Sequence, residues 1–308
     1  MAETEPSAMP FTGERFTPEC VREIWYEHWH RYLFARRIVA GKRVLDAACG
    51  EGYGSALLAD AAVEVVGVDI DAASIAHARE RYGQRANLTF ETGDATALDF
   101  PPGRFDLIVS FETLEHVAAQ EQLLAGFARA LTDDGVLIVS SPDKHEYSEV
   151  AGFHNEFHVR ELYRDELLAL LKPHFPVSRL YGQKLLFQST VWALEGSGGA
   201  AEAWTANKSA GTMAPKVDYA PLYFIAVCAK RALPDRLPAL SLFGDREESV
   251  YAHYNHEVRK NMSAGERIAE LEEEVRQLRE GAKAAASDKK PADRPHDWRW
   301  WRRKQTDE

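Results

Sequence analysis

Residues 111–117 read FETLEHV and follow FDLIVS at 105–110, an apolar run with the character of a buried strand. Two carboxylates and an imidazole, Glu112, Glu115 and His116, therefore follow a strand end directly. If the chain turns into a helix there, all three side chains share one face. Carboxylate oxygens and imidazole nitrogen suit a hard divalent cation such as Mg²⁺ or Mn²⁺. The same His116 could instead act alone as a general base, or the run could serve packing only. A fourth candidate, His158, lies in NEFHVREL at 155–162.

Those side chains need a scaffold, and the alternation of strand-like and helix-like runs supplies one. RVLDAA at 43–48, VEVVGVDI at 63–70, NLTFE at 87–91, FDLIVS at 105–110 and GVLIVSS at 135–141 alternate with helical segments. This is the rhythm of a doubly wound α/β sheet. PVSRLYG at 176–182 and APLYFIAVCAK at 220–230 bring the expected strand count to seven. Ligands in such sheets bind beyond the carboxyl ends of the strands, which is where FETLEHV falls.

A second group of residues opens the domain. VLDAACGEGYGS at 44–55 is a strand, a glycine-rich turn and a helix start. Gly50, Gly52 and Gly54 permit tight turning and a close backbone approach to a ligand. Asp69, at the end of the second strand, can accept hydrogen bonds from both hydroxyls of a ribose. Asp46, just before the glycines, would repel a pyrophosphate but suits a cationic amino-acid moiety.

DAACGEGYG, VDID with Asp69 and Ile70, and GDA with Asp94 and Ala95 resemble the cofactor motifs of class I S-adenosylmethionine-dependent methyltransferases over roughly residues 40–145. The resemblance implies a Rossmann-like fold and S-adenosylmethionine as cofactor. Asp46, Ala48, Gly50, Gly52, Asp69, Ile70, Asp94, Ala95 and Phe111 would form its site. The pair E-x-x-E-H with a later H-x-x-E is similar to the metal site of small-RNA 3′-end ribose 2′-O-methyltransferases. That likeness implies Glu112, Glu115, His116 and His158 as metal ligands, with His116, Glu112 and His158 at the chemistry. The E-x-x-E-H half alone also resembles ubiquinone-pathway O-methyltransferases. TGERFTPE at 12–19, EHWHRYLFA at 27–35, SPDKHEYS at 141–148 and NEFHVREL look like methyltransferases that accompany glycosyltransferases in bacterial surface-polysaccharide synthesis. The acceptor implied is a saccharide hydroxyl, including that of a lipid-linked glycan. The alternatives are a ubiquinone-type phenol O-methyltransferase and a non-catalytic S-adenosylmethionine-binding interaction protein.

The remaining segments divide as an N-terminal arm and helix at 1–42, the cofactor domain at 43–232 and a helical extension at 233–280. Within the domain, 183–219 reads as an insertion or flap. EIWYEHWHRYLFARRIVAG at 23–41 predicts an amphipathic helix ending at Gly41. Together with TGER and His28, His30, Arg31 and Tyr32, it reads as a lid over the site or as an arm packed on the sheet. In the extension, Ile268, Leu271, Val275 and Leu278 form a coiled-coil-like seam, suited to a homo-oligomer or a glycosyltransferase partner. Residues 281–308 read as a disordered tail in which Trp298, Trp300 and Trp301 alternate with Arg299, Arg302, Arg303 and Lys304. Such a mix suits peripheral contact with the inner membrane surface.

The formal net charge of −11 disfavours a nucleic-acid partner. Cys20, Cys49 and Cys228 lack metal-type spacing, and the N-terminal MAETEPSAMPFTGERF lacks the apolar stretch of a secretory leader. Both point to the cytoplasm.

Overall fold

The computed structural model describes residues 23–195 and 200–287. Seven strands form one sheet: β1 (Arg43–Ala47), β2 (Glu64–Asp69), β3 (Leu88–Thr92), β4 (Phe105–Ser110), β5 (Leu131–Pro142), β6 (Val177–Gln183) and β9 (Tyr223–Ala229). Their order is β3-β2-β1-β4-β5-β9-β6. The first five are parallel, and β9 runs antiparallel to both β5 and β6. The switch in strand order beside β1 opens the crevice in which α/β sheets receive ligands.

Alternation along the central strands sends side chains to two separate cores. Val44, Val65, Leu107, Val109 and Ile138 face one layer with Tyr32 and Phe34 of α1 (Glu23–Arg36), Leu58 of α2 (Tyr53–Ala59) and Ile75 of α3 (Ala72–Tyr82). Leu45, Val66, Ile108 and Leu137 face the other, against Leu123, Leu124 and Phe127 of α4 (Gln120–Ala130) and Leu167 and Leu171 of α5 (Arg164–Leu171). Each buried Leu, Ile, Val or Phe contributes roughly 1.5–3 kcal/mol, so the sheet forms a stiff platform for the loops at its rim.

Several boundaries differ from those the sequence suggests. Helix α1 stops at Arg36, because Ile38 and Val39 turn into the core through Ile38 N–H donating to the Ala35 carbonyl and Lys42 N–H to that of Val39. The stretch 233–248 is not helical. Pro234, Pro238 and Gly244 break any helix there, and Phe243 instead packs on Trp25 and Tyr26 of α1. Within 183–219, β7 (Thr205–Asn207) and β8 (Thr212–Ala214) form a small hairpin.

The chain divides into two compact units, residues 1–247 and 248–308. In the second, α6 (Ser249–Ser287) is a 39-residue helix. It continues past Gly281 because Ala282 and Ala284–Ala286 are strong helix formers. The TGER segment and the Trp–Arg tail at 298–304 lie outside the described residues. Among the described residues no helix is long and apolar enough to cross a membrane.

Candidate active site

Among the described residues, two of the three non-glycine residues with positive φ sit at the carboxyl rim of the sheet. Ala48 (φ 63°) follows β1 and Glu112 (φ 50°) follows β4. Such strain persists where the surroundings over-determine it, and here it marks both halves of one site.

At the β1 half, the turn through Gly50 (φ 56°) and Gly52 (φ 88°) leads into α2. A Cβ on Gly52 would lie 2.6 Å from Phe90 Cε1, so both backbone conformation and space demand glycine. Asp69 Oδ2 accepts from Gly50 N–H at 2.8 Å and Oδ1 from Asp71 N–H at 2.9 Å. Two backbone amides thus fix this carboxylate at the end of β2, with lone pairs left for a diol. Ile70 beside it is 72% exposed, an apolar face of the kind a nucleoside covers. Asp94 caps the turn at Ala95 by accepting from Thr96 N–H at 2.8 Å. Phe111 is buried edge-to-face against Tyr32, their centroids 5.0 Å apart.

Asp46 faces inward. It is fully buried and accepts from Ser55 Oγ at 2.6 Å and from Tyr32 OH at 3.2 Å. Burial pushes its pKa up to about 7, against the opposing pull of those two hydrogen bonds. Asp46 therefore ties α1 and α2 to β1. Of the two readings of α1, packing on the domain is the one seen: Tyr32, Phe34 and Ala35 are core residues.

At the β4 half, FETLEHV does not form the regular helix its spacing suggests. Only Leu114–His116 make a turn, of the tighter 3₁₀ kind, and Glu112 before it is left-handed. The carboxylates consequently diverge. Ser140 Oγ–H donates to Glu112 Oε1 at 2.6 Å, and Glu112 N–H donates to Ser140 Oγ at 3.0 Å. Arg31 Nη2 lies 3.5 Å from Glu112 Oε1. Arg31 is buried to 1% exposure; its Nε donates to Gln183 Oε1 at 2.8 Å and its guanidinium stands 4.5 Å above the Tyr223 ring. Glu27 of α1 joins this group. Burial raises its pKa to about 7, offset in part by Arg31 and by a hydrogen bond from Tyr223.

Glu115, His116 and His158 converge instead: one ligand atom from each lies within 4.8 Å of the others. Val159 and Arg160 N–H donate to the Glu115 carbonyl at 2.8 and 3.0 Å, which draws the 155–162 segment to the rim. Neither carboxylate oxygen of the buried Glu115 has a hydrogen-bond partner. Burial and then the charge of Glu112 hold its pKa well above the usual carboxylate range. His116 Nδ1 sits 3.0 Å from the Phe157 carbonyl, and His158 Nδ1 2.5 Å from Glu161 Oε1. His158 Nε2 lies 3.0 Å from Asn155 Nδ2, a contact that a cation on this nitrogen would replace. Tyr147 stacks on the same ring.

One carboxylate and two oriented imidazoles form a donor set that fits a divalent cation, with Glu161 and the Phe157 carbonyl in the supporting role typical around metal-binding histidines. Of the four expected ligands, three gather and Glu112 turns to Arg31. Glu27, Tyr223 and Ser140 were not singled out by sequence, and Glu161 entered only as the last position of H-x-x-E, without a role of its own.

Residues 38–174 match the family model of a methyltransferase domain. This segment is thus similar to a methyltransferase domain. The anchored Asp69 and the glycine turn offer groups that fit the ribose and amino-acid part of S-adenosylmethionine. A Mycolicibacterium smegmatis protein named a probable S-adenosylmethionine-dependent methyltransferase is 38% identical over 170 residues, 54% of this chain and 65% of that protein. The chain thus spans less than two thirds of that relative's length. A demethylmenaquinone methyltransferase of Beutenbergia cavernae is 36% identical over 117 residues, 37% of this chain and 48% of that protein. The solved PH0226 protein from Pyrococcus horikoshii superposes with a TM-score of 0.46 at 23% identity, over 67% of this chain and 91% of that one.

Proposed function

We propose that the chain is an S-adenosylmethionine-dependent O-methyltransferase that acts on a saccharide hydroxyl, assisted by a divalent cation. The observation that carries this reading is the Glu115–His116–His158 cluster, which shares the sheet rim with the glycine turn and Asp69. Methyl transfer from a sulfonium is an in-line displacement, so the protein's work is alignment, water exclusion and proton removal from the acceptor. An aliphatic hydroxyl is a poor acid. A cation held by Glu115, His116 and His158 would orient a vicinal diol and make its hydroxyl easier to deprotonate.

The chain's own residues divide the remaining tasks. Asp69 holds the ribose of the donor and the glycine turn lets its amino-acid part approach the backbone. Glu161 and the Phe157 carbonyl fix the ring orientations of His158 and His116. Arg31 pairs with Glu112 and holds it apart from the cluster at Glu115. The surface-polysaccharide setting draws support from the resemblance of the 12–35 and 141–162 segments, and a lipid-linked acceptor from the exposed Val191, Trp192 and Leu194 of the insertion. The place of action is then the cytoplasmic side of the membrane.

The decisive assay supplies methyl-labelled S-adenosylmethionine with lipid-linked and soluble glycans, with and without Mn²⁺. Label should enter a glycan ether, faster with the ion and not in Glu115→Gln. The likeness to a demethylmenaquinone methyltransferase favours a second reading, a quinone-type acceptor. Label appearing in a phenolic quinone precursor and in no glycan would decide for it.

A further inference from the structure

We propose that α6 pairs with α6 of a second copy as a parallel, in-register two-stranded coiled coil. The apolar seam places Ile268 and Val275 at heptad positions a, and Leu271 and Leu278 at d. All four are exposed, at 57%, 44%, 42% and 67% in that order. Four large side chains in one stripe on a helix are surface that a coiled-coil partner removes from water. β-branched residues at a with leucine at d fit the two-stranded arrangement.

The flanking charges select the orientation. In a parallel in-register pair, each g position faces e′ five residues on. Arg267 (g) then meets Glu272 (e) of the second copy, and Glu274 (g) meets Arg279 (e), both opposite in sign and each occurring twice by symmetry. The antiparallel alignment that preserves the same apolar layers sets Ile268 against Leu278 and Leu271 against Val275. It also places Glu272 against Glu272 and Glu274 against Glu274, which repel.

Register has its own device. One heptad before Ile268 the a position is Asn261, and an asparagine there is satisfied when it meets another asparagine across the seam. Only the in-register parallel pair brings Asn261 onto Asn261. The helix also carries Gly265 and Gly281, each of which weakens an isolated helix. Pairing therefore stabilises the helix itself as well as covering the seam.

The test uses the full chain. Light scattering across a dilution series should give a dimer that dissociates on dilution, and Val275→Glu should give a monomer at every concentration with the thermal transition of the 1–247 unit unchanged. Arg267→Glu should raise the dissociation constant at least tenfold, and adding Glu272→Arg should restore dimerisation. Under mild oxidation Val275→Cys should form a covalent dimer that the parent chain does not, because Val275 meets its own copy only in the parallel register. A monomeric parent, a dimer indifferent to Val275→Glu, or a dimer in which Val275→Cys fails to cross-link would each overturn the proposal.

Discussion

Arg31 Nη2 lies 3.5 Å from Glu112 Oε1, and through this pair an N-terminal helix sets which carboxylates remain at the rim of the sheet. Arg31 is the only cation the described structure sets against both Glu112 and Glu27 in that buried group. Removing it leaves the acids facing each other in a low dielectric, whereas removing a pair outright is far less costly. Arg31→Met should therefore destabilise the fold by about 3 kcal/mol. Arg31→Met combined with Glu112→Gln should recover part of that loss. Denaturant unfolding of these two variants, of Glu112→Gln alone and of the parent measures the coupling directly.

Divergence of the two glutamates leads to an asymmetric prediction for metal binding. Calorimetric titration of Mn²⁺ should show binding that Glu115→Gln abolishes and Glu112→Gln retains. Because the Glu115 carboxylate is buried without a hydrogen-bond partner, Glu115→Gln should not lower the melting temperature in metal-free buffer. A melting temperature that falls sharply would mean that Glu115 is engaged structurally rather than held for a ligand.

Glu27 gives the fold a pH dependence of definite sign. Its pKa is raised from 4.5 to about 7 in the folded state, so the protein binds a proton there that the unfolded chain has released. This contribution is fully present below pH 4.5 and is lost as pH rises through about 7. The full shift corresponds to roughly 3 kcal/mol. Asp46, also raised to about 7, acts with the same sign. Glu27→Gln should thus gain stability relative to the parent between pH 5 and pH 8 while the Asp46 share persists. Unfolding free energies measured at those two pH values would show no relative gain if Glu27 were charged throughout.

How much of this was legible in the chain follows from how local each feature is. The strand rhythm, the glycine turn and Asp69 were readable because each is written within a few consecutive residues. Periodicity failed at FETLEHV, where it predicted one shared helical face. The backbone leaves the buried strand β4 through a left-handed Glu112, and that turn sends Glu112 one way and Glu115 the other. Sequence spacing carries no trace of a single φ of that kind in a non-glycine residue. The Arg31 group was equally hidden: α1, the β4 rim, Gln183 and Tyr223 meet only through the sheet order, and nothing in HWHRYLFA distinguishes the buried Arg31 from its neighbours. His158 was found as a candidate, but its seat at the rim depends on two backbone hydrogen bonds to the Glu115 carbonyl.

Asp69 offers the sharpest test of the cofactor half of the site. Both its oxygens are already committed to backbone N–H groups of Gly50 and Asp71, so its remaining lone pairs point in fixed directions. An Asp69→Asn variant presents an amide NH₂ to one of those N–H donors, which either breaks that anchor or turns the group away from the ligand. Hydrogen bonds to a charged acceptor contribute about 1.5–3 kcal/mol each, and a loss of 1.4 kcal/mol is tenfold in affinity. S-adenosylhomocysteine should therefore bind Asp69→Asn at least tenfold more weakly, while Asp94→Asn, whose acid caps an exposed turn, should change affinity less. Calorimetry with both variants reads the order, and equal losses at the two positions would show that Asp69 holds the loop rather than the ribose.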